Sequence, residues 1–163
     1  MSRRGWKSRL PGAAQLLWLV VALSLGGCAI KLVADYDQPA FDETLKVAKE
    51  VDRFYGALLE RPEGQRQYAQ FSSQYVDIES DLRSLVMRNQ ARPLNEESIK
   101  ISETILDLWR KYKGAHQENN SYKTALASLH RKRFTRLFNA AASAEEAKKL
   151  SPDEKDTSKE STQ

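Results

Sequence analysis

Two histidines, His116 and His130, are the side chains in this 163-residue sequence best suited to hold a metal or move a proton near neutral pH. Neither lies three residues after a glutamate, so the Glu-x-x-His pairs with which helical bundles hold two irons are missing. Covalent haem of the c type needs two cysteines before a histidine, and Cys28 is the only cysteine. Non-covalent haem would fall to Met87 and His130. A histidine that shares a stripe with Leu126, Phe134 and Leu137, however, reads first as a hydrogen-bonded core residue. Asp77 with Asp81, and Glu103 with Asp107, are carboxylate pairs one helical turn apart. Asp77 and Asp81 fall off the apolar stripe, and solvated carboxylates raise each other's pKa too little for general acid–base work. No nucleophile elbow, His-Glu-x-x-His motif or glycine-rich phosphate loop occurs. These residues read as a non-catalytic chain with no metal and no cofactor. An enzymatic or cofactor-binding bundle using His130 or the carboxylate pairs is the reading weighed against it.

The densest charge cluster is His130-Arg131-Lys132-Arg133, followed by Arg136. It could meet anionic headgroups, lipopolysaccharide or an acidic partner. Consecutive residues point around a helix, so pairing of some of these cations with Asp or Glu on neighbouring helices is expected. Arg131, Lys132, Arg133 and Arg136 are the candidate partner or anionic surface. Tyr68, Phe71 and Tyr75 could line a groove, but their heptad spacing reads as core with the hydroxyls at its rim.

The first twenty-eight residues divide into three parts. Arg3, Arg4, Lys7 and Arg9 form a positive block, Leu16 to Leu23 is an unbroken apolar run, and Leu25-Gly26-Gly27-Cys28 closes the segment with small residues. A charged start, a short apolar core and a small-residue exit mark an export signal. The apolar run falls short of the roughly 20 residues that a membrane span needs. Leu25-Gly26-Gly27-Cys28 resembles the lipobox of bacterial lipoproteins at all four positions. The resemblance implies cleavage between Gly27 and Cys28, diacylglycerol on the Cys28 sulfur and acylation (palmitate) of the new amino terminus. Several acyl chains together make a lasting membrane anchor. Ser2-Arg3-Arg4-Gly5-Trp6-Lys7 also resembles a twin-arginine signal, but Lys7 stands where that pattern has an apolar residue, which favours export by the general route. Ala29, in place of a retention aspartate, points to the inner leaflet of the outer membrane, facing the periplasm.

Removing residues 1–27 takes four of the 26 Lys and Arg and none of the 22 acidic residues, so the remaining 136 residues carry no formal net charge. A general nucleic-acid role loses its electrostatic basis. Lipid on Cys28 would leave no cysteine for a disulfide or a thiolate zinc site, so a packed core must supply stability.

That core must come from helices. Residues 28–38 read as a flexible lipidated tether, of which ten residues reach at most about 33–36 Å. Residues 39–150 read as a helical bundle and 151–163, with no apolar side chain, as a disordered polar tail. The first helix is expected over about 39–59, with Phe41, Leu45, Ala48, Val51, Tyr55 and Leu58 inward. The second, over about 63–88, presents Tyr68, Phe71, Tyr75, Ile78, Leu82 and Leu85 at a period of 3.5 residues. The third is expected from an Asn95 cap to Lys113, with Ile101, Ile105, Leu108 and Tyr112 inward and Gly114 near its end. The fourth is expected to follow Asn119-Asn120-Ser121 and run to about Lys149 through Leu126, Leu129, Phe134, Leu137 and Phe138. Short connections make sequential helices antiparallel, which gives an all-α, up-down, four-helix bundle.

Ile30 to Asp37, and Arg88 to Glu96, look like recurring segments of a group of small, helical, uncharacterised bacterial lipoproteins; that resemblance implies no activity. The expected function is a membrane-anchored periplasmic interaction or structural module with an envelope protein partner. A carrier of small ligands or lipid in an interhelical cavity is the alternative.

Overall fold

The computed structural model describes residues 32–150. They form α1 (Gln38–Leu59), α2 (Ser72–Gln90), α3 (Glu96–Asn119) and α4 (Thr124–Ala147), with single 3₁₀ turns at Glu63–Gln65, Tyr68–Gln70 and Lys148–Leu150 and no strand among the described residues. α1 packs on α2 and α4, and α3 packs on α2 and α4. The helices therefore follow one another around a square, each antiparallel to the next, as the short connections require. This is the expected up-down bundle. No described helix is long and apolar enough to cross a membrane. Cys28, Gly27, the signal segment and the tail over 151–163 lie outside the described residues.

One indole organises the core. Trp109 of α3 is fully buried, and its ring meets Phe54 of α1 at 5.0 Å, Tyr75 of α2 at 5.1 Å and Phe134 of α4 at 5.9 Å between centroids. Its indole N–H donates to the Tyr75 carbonyl at 3.2 Å, so the buried nitrogen is satisfied.

Each helix departs from its expected span or face for a local reason. In α1 the buried face is turned toward Ala40, Thr44, Val47, Val51, Phe54, Tyr55 and Leu58, and Leu45 is exposed. Thr44 can be buried because its hydroxyl donates to the Ala40 carbonyl at 2.8 Å. α2 begins at Ser72, not near Glu63, because Arg66 is buried and holds the preceding segment in turns. Its guanidinium donates to the carbonyls of Arg61, Leu59 and Tyr122 and to the Thr124 hydroxyl. α3 runs through Gly114 and ends at Asn120, whose φ of 47° is left-handed. Extending it carries His116 into the core, on the same face as Trp109 and Tyr112. In α4 the first inward residue is Ala127, while Leu126 and Leu129 are exposed. Tyr122, in the loop before α4, is buried against Tyr55 and occupies the core at this level.

Of the expected tether, residues 32–38 are described; Gln38 already belongs to α1, and the segment is bound to the bundle from Ala34 onward. Ala34 N–H donates to the Leu94 carbonyl at 2.9 Å, Asp37 N–H donates to Glu145 at 2.8 Å, and Arg92 donates to the Asp35 carbonyl.

Candidate interaction surface

His116 is buried in the core, and His130 is half-buried at its edge. His116 Nε2 lies 2.8 Å from the Arg66 carbonyl, so it carries the proton, and Nδ1 accepts from the Tyr75 hydroxyl at 3.0 Å. Burial lowers its pKa, against the opposing effect of the bond to Arg66. His130 lies flat on Tyr112, 3.5 Å between ring centroids, and its Nδ1 is 2.6 Å from the Tyr122 hydroxyl. Burial, with the nearby Arg133, pushes the imidazole down to about 4, and burial pushes the Tyr122 phenol up to about 12. The phenol therefore keeps its proton and donates it to a neutral imidazole. Sequence reasoning placed His130 at the core but gave no sign of His116, whose partners lie 41 and 50 residues away.

Met87 is 63% exposed in the last turns of α2, so it does not share a buried pocket with His130. Of Asp77 and Asp81, Asp81 meets Lys46 of α1 at 3.2 Å, and burial together with Asp81 raises the Glu50 pKa. Glu103 accepts from Gln90 at 3.0 Å. No group of three or more His, Cys, Asp or Glu side chains among the described residues could hold a metal ion. Tyr68, Phe71 and Tyr75 are core: Phe71 and Tyr75 are fully buried, and half-buried Tyr68 stacks on Tyr75.

The basic cluster separates into two groups. Arg131 points along the α1 side and grips Asp52 with two bonds of 2.6 and 2.8 Å, which holds the Asp52 carboxyl below its usual range. Lys132, Arg133 and Arg136 are exposed on the opposite side of α4. Arg133 leans over the Tyr112 ring and donates to its hydroxyl; Lys132 and Arg136 have no ion pair among the described residues. At 3.6 residues per turn, Leu126, Leu129, Lys132, Arg133 and Arg136 fall within about 120° of one another. The two leucines, which the expected core had claimed, are 46% and 50% exposed on this outer face. Two apolar residues flanked by unpaired cations make a surface that can bind an apolar, acidic segment.

A groove of about 230 Å³ lies between α1 and α4, lined by Ala48, Asp52, Arg131, Phe134 and Phe138 among others. It is smaller than the roughly 300–1,000 Å³ typical of small-molecule sites. The chain matches no family model, no curated protein and no solved structure.

Proposed function

We propose that this chain is a lipid-anchored module of the bacterial envelope that faces the periplasm and works by binding a protein partner, without catalysis. The observation that carries the binding role is the outer face of α4, where Leu126 and Leu129 stand exposed beside Lys132 and Arg136, which have no ion pair among the described residues. The anchor follows from the lipobox resemblance at Leu25-Gly26-Gly27-Cys28, and Ala29 places it on the inner leaflet of the outer membrane. Both histidines are engaged through their ring contacts and hydrogen bonds in holding the core, which favours a structural use of them. The partner is a protein segment with an apolar stripe and acidic flanks.

A photo-crosslinking amino acid in place of Leu129, activated in intact cells, tests this reading. The expected result is one discrete crosslinked protein that disappears when Lys132 and Arg136 are both changed to Glu. No crosslink in intact envelopes, or one that survives charge reversal, would overturn the binding role. The anchor has its own test. Cys28→Ser should abolish palmitate labelling, and labelling that persists in this variant would refute lipidation at Cys28.

A further inference from the structure

The end of the bundle where the chain enters carries a second apolar surface, separate from the outer face of α4. Leu32 is 79% exposed, Val33 41% and Leu94 40%, and the three line one shallow groove of about 370 Å³. Leu150, at 86%, ends the turn that follows α4 at the same end, since neighbouring Lys149 lies over the rings of Tyr36 and Phe41. Leu94 has a φ of 58°, a left-handed conformation that normally falls to glycine or asparagine. The fold holds a leucine there all the same, with its carbonyl bound to Ala34 N–H.

We infer that this end, through Leu32, Val33 and Leu94, is seated in the boundary between headgroups and acyl chains of the bilayer. The inference rests on the anchor reading above. Only four residues lead from Cys28 to Leu32, which limits their separation to about 13–14 Å. A lipid on Cys28 therefore holds these apolar side chains within reach of the membrane. The contact is apolar in character. Lys148 is buried on Glu145, Asn95 and Ser98, Arg92 is bound by Glu145, and the charges exposed at the rim of the groove are Glu96 and Glu97. Seating should then not be strengthened by anionic lipid or weakened by salt, since apolar burial drives it and Glu96 and Glu97 repel anionic headgroups.

The test uses full-length, lipidated protein in vesicles of phosphatidylethanolamine and phosphatidylglycerol containing brominated acyl chains, which quench tryptophan at the boundary. Leu32→Trp and Leu94→Trp should each show blue-shifted emission that the brominated lipid quenches, with no loss at high salt and no gain at high phosphatidylglycerol. Leu129→Trp and native Trp109 should not be quenched. Palmitate-labelled protein with no quenching at residues 32 and 94 would overturn the seating while leaving the anchor intact. Quenching that is equal at residue 129, or that is lost at high salt and grows with phosphatidylglycerol, would also overturn it. Wild-type protein that takes up no palmitate would refute the anchor and the seating with it.

Discussion

His130 shows how one residue's surroundings set a property of the whole chain. Its folded pKa is pushed down to about 4 by burial and by Arg133, whereas an unfolded histidine titrates near 6.5. Between those values the unfolded chain binds a proton that the folded chain refuses, so stability is full above about pH 6.5 and is lost as pH falls toward 4. His116, also lowered, acts with the same sign. Glu50 acts with the opposite sign, because its folded pKa is raised. The test is therefore a comparison: urea midpoints of wild type and His130→Gln at pH 7 and pH 5. The wild type should lose more stability between the two than the variant, in which glutamine can still accept from Tyr122. Equal losses would mean that His130 titrates normally. That His130 turns toward the core was legible because its stripe with Phe134 lies within one helix. Arg66, Glu145 and Lys148 were not legible as buried residues. Nothing local marks a charge for burial, and Arg66 meets Tyr122 and Glu145 meets Arg92 from 56 and 53 residues away.

At the scale of the element, periodicity identified all four helices but misplaced some of their ends and faces. α2 matched best. From Phe71 to Leu85 its expected inward residues are all buried, because a 3.5-residue repeat leaves no other face to choose. α1 and α4 were harder, since each has more apolar residues than one face can hold. Which ones turn inward depends on neighbours such as Trp109 and Tyr122, and the excess leucines Leu45, Leu126 and Leu129 stay outside. Gly114 misled for a related reason. Glycine disfavours helix by about 0.8–1.0 kcal/mol relative to alanine, yet burial of His116 two residues further on outweighs that cost. A methyl group added at Gly114 would meet nothing within 4 Å, and the residue lies well inside α3. Gly114→Ala should therefore stabilise the protein by about 0.5–1 kcal/mol, read as a higher urea midpoint with an unchanged slope. A lower midpoint would show that the helix needs glycine there.

The described bundle has two unlike ends, joined by helices about 29–36 Å long. At one end Arg66 ties the α1–α2 connection to the α3–α4 connection. At the other, Glu145 binds the incoming chain to the bundle. Its carboxylate accepts from Arg92 at 2.8 and 3.1 Å, from Lys148 at 2.6 Å and from Asp37 N–H at 2.8 Å. Burial raises the Glu145 pKa, but Arg92, Lys148 and the Asp37 amide outweigh it, and the carboxyl stays below its usual range. A domain anchored through residues just before Leu32 would transmit any pull on the anchor to the Ala34–Leu94 and Arg92–Asp35 bonds and then to this carboxylate. Glu145→Gln keeps the shape and an acceptor for the Asp37 amide but leaves Lys148 facing no charge and Arg92 with only the Asp37 carboxylate, 3.8 Å away. Breaking a buried pair costs about 3–5 kcal/mol, and about 3 kcal/mol is expected here because the Arg92 side chain retains 15% of its exposure. Hydrogen exchange would locate the loss. In the variant the amides of Ala34 and Asp37 should exchange faster than the general destabilisation accounts for, while those around Trp109 follow global unfolding. If Ala34 and Asp37 keep their protection relative to the core, the segment is held by Leu94 and by packing, and Glu145 serves only to neutralise Lys148.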